Sequence, residues 1–475
     1  MRRLTSLFLI SFVVAGCGKT DSPEVAQTAK GAPGSPSPAS SSPMPPVEDL
    51  DRSKEAYEQV MAAADQFLAN QDANNAVRAL SQAIQLKPMD PNAYVKRAAI
   101  LAEAKMLAQA VSDMTAAIEL QPENPKLLNT RGYFRLLMQD FSQADQDFSD
   151  AIGLSLDYPQ PYNNRGLVNV SLGKFEEAIL DFDNALKVQS DYVDALNNKG
   201  FALINLERYD EAVSCLSEAL KINPDYMNAI TNRARAYSAT QEHALSAEDY
   251  SKAIKLSPGT LQYHLLRAAE YRAAGNEEAA LADTEYVNWA KKLVAIDLRI
   301  RQNPRNAEAW TAKGRHFLIR SDLDKANECF ASAMKVNPRF ADAFLGRALS
   351  HYKAGNWEQA VTDCDQALAL EQLPEAFSIR ADACFELGRM DDAIAGYESA
   401  KRFDSQVVEA YRKRSSQRKQ AGDVELAKQD EDKANSLEKY LSGEFTPQEE
   451  AKAPALVVPV NFEQEAKVDE ESVNR

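Results

Sequence analysis

Side chains that could do covalent or metal chemistry are few and scattered in this chain. It has four histidines and five cysteines in 475 residues. The histidines form no H-E-x-x-H motif and the cysteines form no C-x-x-C pair. Neither a G-x-S-x-G motif nor a dinucleotide-type glycine pattern occurs. The sequence therefore predicts a protein that is not an enzyme and has no metal, no cofactor and no small-molecule substrate.

Two features argue against ligands that carry phosphate. Gly18-Lys19-Thr20 matches the end of the phosphate-binding pattern G-x-x-x-x-G-K-[ST], but the first glycine would fall at Val13, and no strand–loop–helix context surrounds it. The formal net charge is −16, from 54 Lys and Arg against 70 Asp and Glu. A nucleic-acid binder needs a basic face instead. We expect neither a nucleotide nor a nucleic-acid partner.

Cys17 lies in a sequence context suited to lipid attachment. Arg2 and Arg3 precede an apolar run that is shorter than the ~20 residues needed to span a bilayer. A basic start, a short apolar stretch and small residues are typical of a secretory signal. Val14-Ala15-Gly16-Cys17 resembles the lipobox of bacterial lipoproteins, which implies removal of residues 1–16 and acylation of Cys17. An ordinary secreted protein with a chance cysteine is the alternative.

Residues 17–50 predict a disordered tether rich in serine and proline. Seven prolines lie between Pro23 and Pro46, and such a composition buries too little apolar surface to offset the entropy of ordering. Gly18 after the cysteine favours sorting to the outer membrane. We therefore expect the folded part to be held at the periplasmic face of the outer membrane, in preference to the inner membrane, by a lipid anchor.

From Tyr57 onward the sequence repeats with a period of about 34 residues. Small residues recur at one position of the repeat, and two further small-residue series follow within each unit, as Ala76 and Ala83 follow Ala64. Small side chains at three fixed places allow two helices to approach closely, so each unit predicts a pair of antiparallel helices. The first series comprises Ala64, Ala98, Gly132, Gly166, Gly200, Ala234, Ala268, Gly314, Ala348, Ala381 and Ser415.

This pattern resembles the tetratricopeptide repeat, whose period and small-residue positions it follows. The clearest units span 193–226 and 341–373, and eleven units fit between Tyr57 and Leu441. The resemblance implies an all-α solenoid, a right-handed superhelix of about eleven helix-turn-helix repeats. It also implies a concave groove lined by the first helix of each unit, and protein or peptide partners.

Twelve extra residues after the seventh unit divide the array. We predict one block of seven repeats over 57–294, an extended helix insertion at 295–306, and a block of four repeats over 307–441 whose last helix is a polar cap. Trp289, Leu293, Ile296 and Ile300 form an apolar stripe on this helix. The stripe is expected to pack on the next unit, and a dimer seam is the alternative, which leaves a homo-oligomer open.

Two positions covary from unit to unit. The residue before the first small position is basic, and where it is arginine an aspartate usually follows at one fixed later position, as for Arg165 and Asp181. The two positions are expected to touch and to form bidentate pairs that set the register of each hairpin. Where the basic residue is lysine, a cysteine follows instead. Those lysines could lower the thiol pKa and make oxidant sensors, which is the alternative hypothesis; the pairs are Lys199 with Cys215 and Lys313 with Cys329.

Asparagines cluster on the first helices of units three to six. This arrangement resembles the asparagine ladder in the repeat domain of O-GlcNAc transferase, matching at Asn164, Asn198 and Asn232, and implies exposed amides that hold an extended peptide backbone. Hydrogen bonding among the asparagines themselves is the equally weighted alternative. The predicted groove residues are Asn129, Tyr133, Asn163, Asn164, Asn197, Asn198, Phe201, Asn232 and Arg235.

The tail over 442–475 is acidic and is predicted to be disordered. It contains an apolar island at 453–460, which either has no role or docks in the protein's own groove. Cys364 and Cys384 occupy packing positions of neighbouring units, and two buried thiols are favoured over a disulfide.

These patterns together predict a membrane-anchored scaffold that binds proteins or extended peptides in its groove, in a setting such as envelope assembly. A self-assembling structural protein of the envelope is the alternative. A non-catalytic regulatory subunit of an enzyme is a further one, and the sequence does not separate it from the scaffold.

Overall fold

The computed structural model describes residues 47–443 and is helical throughout this part. Its 22 helices follow one another as antiparallel hairpins joined by short loops, and no strand occurs among the described residues. The predicted all-α solenoid of tandem helical repeats is therefore confirmed. The signal sequence, Cys17, nearly all of the tether and the apolar island at 453–460 lie outside the described residues.

The chain divides into two compact units, and the division falls between Thr284 and Glu285 inside one long helix. The first unit contains α1 Val47–Ala69, α2 Ala73–Leu86, α3 Pro91–Glu103, α4 Leu107–Leu120, α5 Pro125–Leu137, α6 Phe141–Leu154, α7 Pro159–Ser171, α8 Phe175–Val188, α9 Val193–Asn205, α10 Tyr209–Ile222, α11 Met227–Ala239, α12 His243–Leu256, α13 Leu261–Ala273 and the start of α14 Glu277–Gln302.

The second unit contains the rest of α14 and the four hairpins that follow it. Residues 295–306, predicted as an extended helix insertion, comprise the last turns of α14 and the loop before the next helix. The remaining helices are α15 Ala307–Leu318, α16 Leu323–Val336, α17 Ala341–Lys353, α18 Trp357–Leu370, α19 Pro374–Glu386, α20 Met390–Ser399, α21 Ser405–Ala421 and α22 Val424–Ser442.

Close packing within each hairpin explains the small-residue series. A Cβ atom on Gly166 would lie 2.5 Å from Cε1 of Phe182, and one on Gly200 would lie 2.6 Å from Cγ of Leu216. Both distances are too short for a real contact, so a larger side chain would force the two helices apart. The predicted role of these positions is confirmed, and the ring of Phe182 is fully buried where the two helices meet.

Arginines join the two helices of most hairpins, and several of them also join their hairpin to the preceding one. Arg165 on α7 donates two hydrogen bonds to Asp181 on α8, from Nε at 3.1 Å and from Nη2 at 2.6 Å. Its Nη1 donates to Ser149 on α6 at 3.1 Å. The predicted arginine–aspartate pairing is confirmed in seven hairpins. The pairs are Arg97–Asp113, Arg131–Asp147, Arg165–Asp181, Arg233–Asp249, Arg267–Asp283, Arg347–Asp363 and Arg414–Asp430.

The hydroxyl partner in the preceding hairpin was not predicted. In five hairpins the arginine Nη1 donates to a serine or threonine on the second helix of the hairpin before. Those acceptors are Ser81, Thr115, Ser149, Ser217 and Ser251. We call these three-helix connections the arginine bridges.

In the two hairpins with lysine in place of arginine, the lysine pairs with an aspartate at a different position. Lys199 Nζ lies 2.7 Å from Oδ1 of Asp183, and Lys313 Nζ lies 2.7 Å from Oδ1 of Asp297. Each aspartate lies on the second helix of the hairpin before, as the bridging hydroxyls of the arginine hairpins do. The cation therefore keeps a carboxylate partner, but across the hairpin boundary instead of within the hairpin.

Two of the four residues of the apolar stripe on α14, Trp289 and Leu293, pack on the next hairpin, as predicted. Trp289 Nε1 donates to the carbonyl oxygen of His316 at 3.0 Å, and His316 Nε2 donates to the carbonyl oxygen of Trp289 at 2.7 Å. The two rings stack with centroids 5.1 Å apart, and Leu293 joins the same core beside Phe317. Burial lowers the pKa of His316, so this imidazole is neutral near pH 7.

The pairing of Lys199 with Asp183 can be tested by substitution in the fifth hairpin. Asp183→Ser should lower the free energy of unfolding by about 0.5–1 kcal/mol, because Lys199 loses its partly exposed ion pair. Adding Lys199→Arg and Cys215→Asp recreates the pattern of the neighbouring hairpins and should restore the denaturant midpoint. Asp191→Ser, at an exposed residue in the preceding loop, serves as the control. A triple variant as unstable as Asp183→Ser alone would contradict the relocation.

Candidate functional site

Six asparagines form one continuous chain of hydrogen bonds across four hairpins. Between hairpins, Nδ2 of Asn164 donates to Oδ1 of Asn129 at 2.9 Å, Asn198 donates to Asn163 at 3.0 Å, and Asn232 donates to Asn197 at 3.0 Å. Within hairpins, Asn163 donates to Asn164 and Asn197 donates to Asn198. We call this series the asparagine chain.

The asparagine chain has a defined direction because it begins at a donor and ends at a hydroxyl. Arg235 Nη1 donates to Oδ1 of Asn232 at 3.4 Å, and Nδ2 of Asn129 donates to the hydroxyl of Tyr158 at 3.3 Å. Each amide between them accepts one bond and donates one. Such chains polarise their members and strengthen one another in a low-dielectric setting.

The expectation of exposed asparagines is wrong for four of the six. Asn163, Asn164, Asn197 and Asn232 are buried, and the hydrogen bonds among the asparagines are those of the alternative interpretation. The physical reason is that a carboxamide both donates and accepts, so like residues on neighbouring helices satisfy one another. A buried amide without such partners would be costly.

The asparagine chain stops where leucine replaces asparagine. Asn164, Asn198 and Asn232 occupy one position of successive repeats, and the next member of that series is Leu266 on α13. A cavity of about 360 Å³ opens at this point among α9, α11 and α13, with Tyr250 of α12 behind it. Its lining comprises Asn197, Asn198, Phe201, Asn228, Thr231, Asn232, Arg235, Tyr250, Gln262, Tyr263 and Leu266. We call it the α11 pocket.

The α11 pocket combines an apolar floor with a single charge. Phe201 and Tyr250 are buried, and burial raises the pKa of Tyr250 to about 12, so its phenol stays protonated. Arg235 is exposed at the rim, with its guanidinium carbon 5.7 Å from the centroid of Phe201. Arg235 is the one charged residue of the lining. Its side chain donates to the neutral oxygen of Asn232 and forms no ion pair with a carboxylate of the described residues.

The predicted groove residues divide into two groups. Asn197, Asn198, Phe201, Asn232 and Arg235 line the α11 pocket. The other four lie on α5 and α7, outside the lining: Asn129, Tyr133, Asn163 and Asn164.

Two amides in the pocket were missed from the sequence. Asn228 and Gln262 both line the cavity and carry no side-chain hydrogen bond to the described residues, although Arg235 and the asparagine chain lie close by. They occupy the same position of successive repeats, on the N-terminal side of the small residues Ala234 and Ala268. Comparing that position across units would have found them.

The oxidant-sensing hypothesis for the lysine hairpins is wrong. Burial raises the pKa of Cys215, and it raises the pKa of Cys329 to about 11, despite the nearby lysines. Lys199 and Lys313 direct their ammonium groups to Asp183 and Asp297, as described above. Little reactive thiolate therefore forms at neutral pH.

The other cysteines and histidines considered for chemistry have structural roles in the packed helices. Cys364 and Cys384 are free and buried thiols, as favoured from the sequence. His264 is buried, with Nδ1 2.8 Å from Oδ1 of Asp283. Within residues 47–443 no group of three or more His, Cys, Asp and Glu side chains is placed to hold a metal ion, and no helix is long and apolar enough to cross a membrane.

The chain is similar to short stretches of several larger proteins. It is 28% identical over 95 residues to the protein SGT1 homolog of rice (Oryza sativa subsp. japonica), which is 20% of this chain and 26% of the rice protein. It is 27% identical over 112 residues to RNA polymerase II-associated protein 3 of mouse (Mus musculus), which is 23% of this chain and 17% of the mouse protein. The chain thus spans about a quarter or less of these curated relatives.

Solved structures of bacterial repeat proteins are also similar. A tetratricopeptide repeat protein from Parabacteroides merdae is 20% identical with a TM-score of 0.41, over 49% of this chain and 93% of that one. PilF of Pseudomonas aeruginosa is 18% identical with a TM-score of 0.40, over 46% of this chain and 99% of that one.

Family models of the tetratricopeptide repeat match most of the helical region. The matched residues are 61–125, 159–192, 193–226, 228–260, 311–374 and 345–407. Together they span more than half of the 475 residues. The helical hairpins, the small residues between their helices and these matches agree, and the chain belongs to the tetratricopeptide repeat family.

Proposed function

We propose that this protein is an adaptor that binds an extended peptide segment of a partner protein on the first helices of its fifth to seventh hairpins, α9, α11 and α13. The α11 pocket is the observation that carries the proposal. A scaffold of helical repeats supports a role in protein interaction, and this pocket offers a side-chain site, a charge and amides within one cavity.

The shape and lining of the pocket suit one apolar side chain of the guest. Its volume of about 360 Å³ is in the lower part of the range typical of ligand sites. Phe201, Tyr263 and Leu266 supply apolar walls, so burial of a leucine, methionine or aromatic side chain stabilises the complex by the hydrophobic effect. The first specificity element is therefore a large apolar residue.

Arg235 supplies the second element. An exposed guanidinium without a carboxylate partner in the described chain favours an acidic group on the guest. The asparagine chain engages Arg235 only through the neutral oxygen of Asn232 at 3.4 Å, so the charge stays available. We infer a guest that carries Asp, Glu or a terminal carboxylate beside its apolar residue.

Asn228 and Gln262 supply the third element. Each carboxamide can donate to a peptide carbonyl and accept from a peptide N–H, which suits binding of an extended backbone without reading its side chains. The buried asparagine chain below them holds the helices in register, while these two amides remain free to bind the guest.

A peptide-display selection on the full chain tests this assignment. Enriched peptides should share a large apolar residue next to an acidic one. Arg235→Glu should weaken their binding about tenfold or more, equivalent to about 1.4 kcal/mol, because the charge at the rim is reversed. Fluorescence anisotropy with a selected peptide measures the change in Kd.

The matched control is Arg78→Glu, which alters an exposed arginine on a second helix. It should leave the Kd unchanged. Peptides that bind equally well to both variants would show that the guest does not use the α11 pocket.

We also propose that the mature protein is a lipoprotein held at the periplasmic face of the outer membrane. The support is the sequence alone: Arg2, Arg3, the apolar run and the tetrapeptide ending at Cys17. Two or three acyl chains bind a membrane far more firmly than one. The proline-rich tether would then leave the repeats free to receive a guest, in a setting such as envelope assembly.

Cys17→Ser separates the anchor from the adaptor. In a Gram-negative host the unchanged protein should incorporate labelled palmitate and sediment with outer membranes, whereas the variant should lose the label and become soluble after export. Binding of the selected peptide should be unaffected, since the pocket lies in the repeats. An unlabelled wild-type protein would refute the anchor and leave the adaptor proposal standing.

The packing of α14 supports the adaptor proposal over the alternative of a self-assembling structural protein. The stripe on α14 was the feature that offered a dimer seam, and Trp289 and Leu293 of this stripe pack on the following hairpin. A monodisperse monomer in sedimentation velocity is the expected state of the adaptor.

A further inference from the structure

Helix α21, the first helix of the last hairpin, is rich in basic residues although the protein as a whole is acidic. It carries five basic residues and one acidic residue, whereas the whole chain has a net charge of −16. All five basic side chains pair with carboxylates of the described chain, and the pairs of Arg412 and Lys413 are exposed on both sides. The basic residues are Arg412, Lys413, Arg414, Arg418 and Lys419.

A second cavity lies between α21 and the preceding hairpin. Its volume is about 450 Å³, and we call it the α21 pocket. Phe385 and Met390 are buried at its floor, and Lys413 Nζ lies 3.8 Å from the centroid of the Phe385 ring. The lining comprises Phe385, Glu386, Gly388, Met390, Arg412, Lys413, Ser416 and Gln417. It thus pairs an apolar floor with two cations and one carboxylate, that of Glu386.

These two cations are only weakly engaged by the repeats. Arg412 pairs with Glu438 and Lys413 pairs with Glu409, and all four side chains are 44–58% exposed. Ion pairs exposed to this degree contribute little to stability and exchange readily with other carboxylates. An acidic segment that arrives with apolar side chains can therefore displace them.

The helix that precedes the C-terminal tail contacts a lining residue of this pocket. Glu438 on α22 accepts from Nη2 of Arg412 at 2.6 Å, and α22 ends at Ser442. At about 1.5 Å per residue, Gly443 lies about 8 Å farther along the helix than Glu438. Gly443, the last described residue, and the α21 pocket therefore belong to the same compact unit.

The composition of the tail complements the pocket. Residues 444–475 contain eight acidic and three basic residues. The apolar island at 453–460 includes Leu456, Val457 and Val458, and glutamates flank it at 449, 450, 463 and 465. The thirteen residues from Gly443 to Leu456 reach about 40 Å when extended.

We propose that residues 449–465 dock on the α21 pocket of their own chain. The apolar island packs on the edges of Phe385 and Met390 that remain exposed, and the flanking glutamates bind Arg412 and Lys413. Attachment through a short linker gives the tail a high effective concentration at this site, which favours it over the tail of a second copy. The docked tail closes the C-terminal end of the array and holds that pocket against other acidic peptides.

Photo-crosslinking in the full chain tests the docking. A benzophenone amino acid replaces Ser416, which lines the pocket, is exposed and donates no hydrogen bond to the described residues. Irradiation should produce crosslinks to residues 449–465 of the same chain, identified by mass spectrometry. The same amino acid at Lys428, an exposed position of α22, serves as the control and should give no such crosslink.

Charge reversal makes the test specific. Arg412→Glu with Lys413→Glu should lower the crosslink yield at least about fivefold, since like charges now face the tail. Changing the four flanking glutamates to lysine in that variant should restore the yield. Both substituted pocket residues are exposed, so the fold is retained, and an unchanged circular dichroism spectrum verifies it.

Three results would overturn the proposal. One is a yield that charge reversal leaves unchanged, and another is the absence of crosslinks to 449–465. The third is a covalent dimer as the main product in mixtures of isotope-labelled and unlabelled protein, because the occupant would then be a second copy.

Discussion

Neighbouring hairpins of this array are held together by polar side chains that tolerate burial, and in five hairpins the arginine bridges meet that constraint. Arg165 contacts Asp181 in its own hairpin and Ser149 in the one before, so one guanidinium fixes three helices. Because Asp181 is almost fully buried, loss of its partner would leave an uncompensated charge. The lysine hairpins obey the same constraint with the carboxylate moved across the boundary. The bridges thus set the spacing on which the binding surface depends.

The asparagine chain likewise joins neighbouring hairpins through polar side chains, here on the first helices. The candidate site lies where this chain ends. While asparagine recurs, each amide is hydrogen-bonded to the next. At Leu266 the series ends, Asn232 is left facing Arg235, and the α11 pocket opens. A structural network and a binding cavity therefore share residues. This arrangement places a charge and amides over an apolar floor without leaving the buried amide of Asn232 unpaired.

Much of the fold follows from the sequence because it depends on a repeated local rule. The repeat period predicted the hairpins, and the covariation that Arg165 and Asp181 share with other units identified a real contact. The features that the sequence did not reveal depend on where side chains point and on how deeply they are buried. The Ser149 series was overlooked since serine is common, and Asn164 was expected at the surface because its partner Asn129 lies in the preceding unit. Likewise, Lys199 stands in sequence register with Cys215 but pairs with Asp183, and burial then raises the pKa of the thiol.

The most direct test of the central claim is a crystal structure of the full chain bound to a peptide selected against it. The account predicts an extended peptide across α9, α11 and α13, with an apolar side chain against Leu266 and a carboxylate within about 3 Å of the Arg235 guanidinium. A peptide bound along the second helices, with the α11 pocket empty, would contradict it.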